Sequence, residues 1–148
     1  MAPKVYDKFK NLLTIAGVNW TSAALKVLLE DSTSTYTPDD AHNFVANFLG
    51  NGGVECGAGS GTAYARKALG TLAATRVDGS HQMQLHAADV TWAALNGLTL
   101  RGALIFVDSG SDATSPLVAY IDTGGFPLVT NGGDVTLHWS ASGIITLT

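Results

Sequence analysis

Between Lys4 and Leu13 the apolar residues fall at Val5, Phe9, Leu12 and Leu13, spaced i, i+4, i+7 and i+8. That spacing lays one stripe along a helix over 4–13. Lys4, Lys8 and Lys10 occupy its other faces, Pro3 suits its first turn and Gly17 closes it. Two placements follow: the helix packs on its own domain, or it is an arm that docks on a neighbouring subunit. The period changes at Ala24. In ALKVLLED, Leu25, Val27 and Leu29 alternate with Lys26 and Glu30, the pattern of a strand. In TSTYTPDDAHNF, Thr37 is placed to N-cap a short helix with Pro38 in its first turn, Asp39 and Asp40 at its positive end, and His42 and Phe44 along it. The stretch GNGGVECGAGSG, residues 50–61, holds Gly50, Gly52, Gly53, Gly57, Gly59 and Gly61, so it reads as an exposed loop without fixed structure of its own.

Strands resume near Ala68–Ala74. In HQMQLH, Met83 and Leu85 face one way and Gln82, Gln84 and His86 the other. LRGALIFVD and PLVAYID are nearly continuous apolar runs, as expected of strands buried on both sides. DVTLHWS alternates, with Val135, Leu137 and Trp139 inward; Gly143 then turns the chain into IITLT, which predicts a closing hairpin. Seven or eight short strands with one N-terminal and one short internal helix make the chain mainly β. The expected architecture is a β-sandwich or jelly-roll-like domain over 17–148, preceded by an N-terminal helix or arm over 1–16.

A length of 148 residues suits one domain. The formal net charge of −4 disfavours a phosphate-tracking surface. The single Cys56 excludes an internal disulfide framework, and the start MAPKVYDKFK carries no secretory apolar region, so a soluble chain is expected. Charged residues make up 14% of the chain against roughly 25% in an average soluble protein. Either Ser and Thr fill the outward positions of many strands, or a partner covers much of the surface.

Asp-Ser/Thr-Gly occurs twice, at Asp108-Ser109-Gly110 and Asp122-Thr123-Gly124, each after an apolar strand. Two carboxyls sharing one proton need to be adjacent. Here they flank one strand of a hairpin, roughly 20 Å apart at ~3.3 Å per residue. Gly57-Ala58-Gly59-Ser60-Gly61-Thr62 lacks both the dinucleotide spacing and a following Gly-Lys-Ser/Thr, and no nucleophile elbow surrounds Ser60. His42, His81, His86 and His138 show no metal-ligand spacing, and Cys56 has no adjacent His or Lys to activate it. Trp20, Trp92 and Trp139 with Tyr36 and Tyr120 leave a sugar-stacking platform open, with Trp92 at a strand end as its anchor. The expectation is therefore of no catalytic residues, no cofactor and no metal.

Several segments together resemble small virion proteins of tailed bacteriophages, related to capsid cement or decoration proteins. They are LKVLLEDSTSTYTPDDAHNF, DVTWAALNGLTLRGALIFVDSGSDATSPLVAYIDTGG and DVTLHWSASGIITLT, in order over more than half the chain. The most specific parts are Tyr36-Thr37-Pro38-Asp39 with His42, Val90-Thr91-Trp92, Thr114-Ser115-Pro116-Leu117 leading into Ala119-Tyr120-Ile121-Asp122, and the closing 143–148. The chain departs from that pattern at Gly102-Ala103, where a bulkier strand is expected, and at Thr123-Gly124-Gly125. The resemblance implies a non-enzymatic subunit that cements or decorates the capsid, made in the bacterial host cytoplasm and carried in the virion. Its partners would be the major capsid protein and copies of itself, with no nucleic acid and no membrane. The expected contacts are the stripe Val5, Phe9, Leu12 and Leu13 and the loop residues Gly52, Gly53, Val54, Gly57 and Gly59. Deleting 1–14 should then leave the domain folded and abolish assembly. The alternatives are another virion component (neck, tail or head fibre) and a glycan-binding sandwich used in host adhesion.

Overall fold

The computed structural model describes residues 3–57 and 64–148. In chain order the elements are β1 (Lys4–Val5), α1 (Asp7–Thr14), β2 (Leu25–Asp31), α2 (Val45–Gly50), β3 (Lys67–Ala68), β4 (Ala73–Val77), β5 (Gln82–His86), β6 (Val90–Trp92), β7 (Asn96–Val107), β8 (Leu117–Ile121), β9 (Leu128–Asn131), β10 (Val135–Leu137) and β11 (Ile145–Leu147). The fold is mainly β and sandwich-like, as expected, and every strand pairing is antiparallel.

The main sheet runs β1-β8-β7-β2-β3, and β9 also pairs with β7. β7, at 12 residues, organises it. One edge of β7 carries β2, from Leu25↔Val107 to Asp31↔Leu100. The other edge is shared in tandem by β8, from Ala103↔Ile121 to Phe106↔Leu117, and β9, from Asn96↔Asn131 to Leu100↔Leu128. Two smaller sheets, β11-β5-β4 and β10-β6, complete the chain.

Both faces of the main sheet are covered. Leu25, Val27, Leu29, Ala103 and Ile105 belong to one core with Leu85, Val90, Trp92 and Ile145 of the smaller sheets and with Trp20 and Phe9. Leu28, Leu104, Phe106, Leu117 and Tyr120 form a second core with Tyr6, Tyr36 and the α2 residues Val45 and Phe48. The apolar runs of β7 and β8 are buried on both sides, as their composition predicts. The alternation expected of β2 does not survive, because Leu28 and Glu30 are as fully buried as Val27 and Leu29.

Four local expectations change. The first residues of the expected helix form a strand instead: Lys4 and Val5 pair with Tyr120 and Ala119, and the helix begins at Asp7. Of the two placements for this segment, the structure gives packing on its own domain. Phe9 has no exposure and meets Trp20 edge-on with ring centroids 6.0 Å apart, while the Tyr6 amide donates to Val118 O at 3.0 Å. The helix expected from Thr37 is an extended segment with one turn. The Asp39 side chain accepts from the Ala41 amide at 2.8 Å, a local bond that competes with helix formation. The Leu117 amide donates to Asn43 O at 2.9 Å and holds the next residues extended. The helix starts at Val45, where Asn47 Oδ1 accepts from the Asn43 and Phe44 amides at 3.1 and 3.0 Å.

The described part of the glycine-rich stretch, residues 50–57, is tied down by backbone bonds: Thr35 N donates to Gly52 O, Asp31 N to Val54 O and Cys56 N to Leu29 O, each at 2.9 Å. Gly59 lies outside the described residues. Finally, the last two strands form no hairpin, since β10 pairs with β6 and β11 with β5. Trp139, past the end of β10, is half-buried. Among the described residues no helix is long and apolar enough to cross a membrane.

Because Tyr6 and Phe9 are fully buried, removal of 1–14 should abolish cooperative thermal unfolding, not merely assembly. Phe9→Ala should lower stability by about 3–5 kcal/mol in a denaturant melt. A truncated chain that melts as sharply as the full one would contradict this.

Candidate functional site

The densest polar cluster is in the interior. Glu30, on β2, has no solvent exposure, yet three donors reach its carboxylate. Arg101 donates to Oε1 at 2.9 Å, Tyr120 to Oε2 at 2.6 Å, and Ser34 to Oε1. Arg101 also donates to Tyr36 O at 2.9 Å. The Tyr36 hydroxyl bonds that of Tyr6 at 2.8 Å and meets His42 Nδ1 at 3.1 Å, so the cluster extends from a β-strand to the start of α1. Gly102 stands opposite Glu30 in the β2–β7 register, and a Cβ there would lie 2.7 Å from Ile121 O and 3.1 Å from Glu30 Oε2. The glycine where a bulkier residue was expected thus makes room for the carboxylate. Among the described residues no buried side-chain polar atom lacks a partner, so the cluster is closed and offers no free acid or base to a substrate.

A second cluster ties the glycine-rich loop to the β7–β8 turn. Arg66 donates from Nε and Nη2 to Glu55 at 2.7–3.1 Å and from Nη1 and Nη2 to Asp112 at 2.6 and 3.1 Å, with its guanidinium over the Phe106 ring. Tyr64 donates to Glu55 Oε1 at 2.9 Å and accepts from the Leu29 amide at 3.0 Å. These too are saturated, bidentate contacts.

The remaining candidates are dispersed. Asp108 directly follows β7 with Oδ2 2.6 Å from Lys26 Nζ, an ion pair that together with the Gly110 amide holds its carboxyl below the ordinary range. Asp122 follows the far end of β8, so the hairpin does not bring the two acids together. Cys56 is buried, and burial pushes its thiol up to about 12. Trp92 is fully buried with its indole N–H on Ala65 O at 2.8 Å, which overturns its role as a sugar platform.

Of the expected contact residues, Val5 is half-buried in the sheet, Phe9 is in the core, and Leu12 and Leu13 are half-buried. The bare Cα atoms of Gly52 and Gly53 abut Thr35 and Phe48, and Gly57 abuts Tyr64, so these glycines permit close packing of the loop. Val54 is 39% exposed, as is Leu49 at the end of α2, and Ile15 beyond α1 is 64% exposed. Sequence spacing did not single out Leu49 or Ile15; nothing in a six-residue helix or a helix end distinguishes an exposed apolar side chain from a core one.

A concavity of about 290 Å³ lies between the segment after β8 and the segment after β10. Phe126, Leu137, Trp139 and Ile144 form its apolar walls, and Thr136 and His138 also line it. His138 Nδ1 lies 2.6 Å from Asp89 Oδ2, the Trp139 amide donates to Asp89 Oδ1 at 3.0 Å, and the Trp139 indole N–H donates to Ala88 O at 2.8 Å. These amide and histidine bonds hold the Asp89 carboxyl below its usual range.

Removing the acceptor from the interior cluster should be severe. Glu30→Ala leaves the buried Tyr120 hydroxyl and the partly exposed Arg101 guanidinium without their partner and should cost about 1–3 kcal/mol in a denaturant melt. Gly102→Ala should be comparably damaging because backbone, not a side-chain tip, is in the way. A second expectation concerns alkaline pH. Burial raises the hydroxyls of Tyr6, Tyr64 and Tyr120 above their ordinary 10.0, and the Cys56 thiol above its 9.0. The unfolded chain releases these protons first, so their contribution is whole below about pH 9 and is lost as pH rises further. The melting temperature should fall steadily from about pH 9 to pH 11; a flat profile would contradict the buried placement.

No family model, no curated protein and no solved structure matches the chain.

Proposed function

We propose that the chain is a non-enzymatic structural subunit of a phage virion that cements or decorates the capsid, bridging neighbouring major capsid protein subunits. The observation that carries this reading is the apolar ridge at the end of α2. Leu49 and Val54 flank the 50–53 turn and face solvent. Gly53 N donates to Phe48 O, and the Thr35 and Asp31 amides fasten the next carbonyls, each at 2.9 Å. A projection ordered before docking loses little conformational entropy when it binds. It also lies at one end of the glycine-rich segment where contacts were expected.

Three further features support the role. Charged residues are scarce, at 14% of the chain. The interior acids and bases are saturated by one another, which suits a rigid spacer better than a reaction centre. The sequence segments that resemble decoration proteins include β2, β7 and β8 of the main sheet. Cementing relies on area and repetition: a standard interface buries ~1,600 Å², and a few residues carry most of its energy. Many copies then act together on an ordered lattice. The contact set we propose is Leu49 and Val54, in place of the buried Phe9 and the packed glycines.

Purified chain added to empty capsids should raise the temperature at which the shells rupture. The double variant Leu49→Asp and Val54→Asp should reduce occupancy at least roughly tenfold, as expected for loss of anchor residues, with its own melting temperature unchanged. Saturating chain that leaves capsid rupture unaltered would sink the reading. Full occupancy by the double variant would move the contact surface elsewhere.

A further inference from the structure

We infer that the concavity bounded by Phe126 and Trp139 is a binding site for one neutral sugar ring, of the hexose or N-acetylhexosamine class. Four observations converge on it. First, its volume of about 290 Å³ falls just below the roughly 300–1,000 Å³ typical of sites for drug-sized molecules, room for one ring and not for a chain. Second, Phe126 and Trp139 contribute aromatic walls, with Leu137 and Ile144 beside them. The apolar C–H face of a pyranose stacks on such rings, and Trp is the favoured partner.

Third, Trp139 is set in place. Its indole N–H is bound to Ala88 O at 2.8 Å and its amide to Asp89 at 3.0 Å, so its orientation does not have to be fixed on binding. Fourth, His138 is held beside the cavity. The Asp89 carboxylate only accepts, so His138 Nδ1–H donates to it across 2.6 Å, and the other ring nitrogen is left for the hydroxyl edge of a sugar.

Charge decides the class. Among the described residues lining the cavity none is Lys, Arg, Asp or Glu. A sulfated or carboxylated sugar would lose its hydration there without a cation to receive it, whereas a neutral ring loses none of that stabilisation. The site is separate from the α2 ridge, so it stands or falls independently of the capsid reading. It also replaces Trp92, which is sealed in the core.

The test is a titration of the isotope-labelled full chain with methyl glucoside, methyl galactoside and N-acetylglucosamine up to about 100 mM, followed by the three indole N–H resonances. The expected result is a saturable shift of the Trp139 indole with at least one sugar. Trp20 and Trp92, whose N–H groups are bound to His86 O and Ala65 O inside the cores, should stay still. His138→Ala alters an exposed side chain and should weaken binding roughly five- to tenfold with the fold intact. Trp139→Ala should abolish it. Three results would each overturn the proposal: no saturable shift at Trp139 with any of the three sugars, equal binding of glucuronate, or unchanged affinity in His138→Ala.

Discussion

A carboxylate without access to water must be met by donors, and in this chain the donors to Glu30 come from three different parts of the main sheet. Arg101 belongs to β7, Tyr120 to β8 and Ser34 to the turn after β2. None of these contacts is local in sequence except that of Ser34, so the charge is tolerated only when β2, β7 and β8 are already in register. A slip of one residue between β2 and β7 would bring a side chain opposite Glu30 where Gly102 now leaves space. The energetic value of such a cluster is mostly negative in sign for every wrong arrangement, since an unpaired buried charge is far more costly than a paired one is favourable. Through Tyr36 and Tyr6 the same cluster fastens the N-terminal segment, which is why that segment is part of the sheet and not an appendage.

The chain's surface is organised on the same scaffold. α2 lies on the face of the sheet opposite the smaller sheets, anchored by Val45 and Phe48 in the second core. Its end therefore rests on a rigid base, with Leu49 before the 50–53 turn and Val54 after it. On the other side of the main sheet, the ends of β8 and β10 frame the cavity beside Trp139. One face holds the apolar ridge and the other the aromatic concavity, with the packed strands between them.

The parts of this architecture legible in the sequence are those where one local rule acts alone. The runs LRGALIFVD and PLVAYID could only be strands covered on both sides, and β7 and β8 are. LKVLLED read as a strand but not as a buried one, because Lys26 and Glu30 suggested a wet face. Lys26 reaches Asp108 at the sheet's end, while Glu30 is neutralised by residues 71 and 90 positions away in sequence. The signal was present as an acid inside an apolar run and a glycine in the strand that pairs with it. The 37–44 segment misled because Thr-Pro-Asp-Asp is an N-terminal helix signature, yet the Asp39 side chain closes a turn first. Val5 and Phe9 fitted a helical stripe that in fact spans a strand and a helix. For the cavity, Trp139 was visible as a candidate but was read as core, and its pairing with Phe126 depends on how β8, β9 and β10 are connected in space.

β7 contacts β2 along one side and both β8 and β9 along the other, so three of the five strand pairings of the main sheet pass through one continuous stretch of backbone. A strand used in this way leaves no subset of the sheet able to persist when it opens. The molecule is accordingly built to yield all at once or not at all, and strain applied at the Asn96 end is transmitted along the same strand to the Val107 end. In the shell role proposed above, resistance to partial fraying would matter as much as the total free energy of the fold.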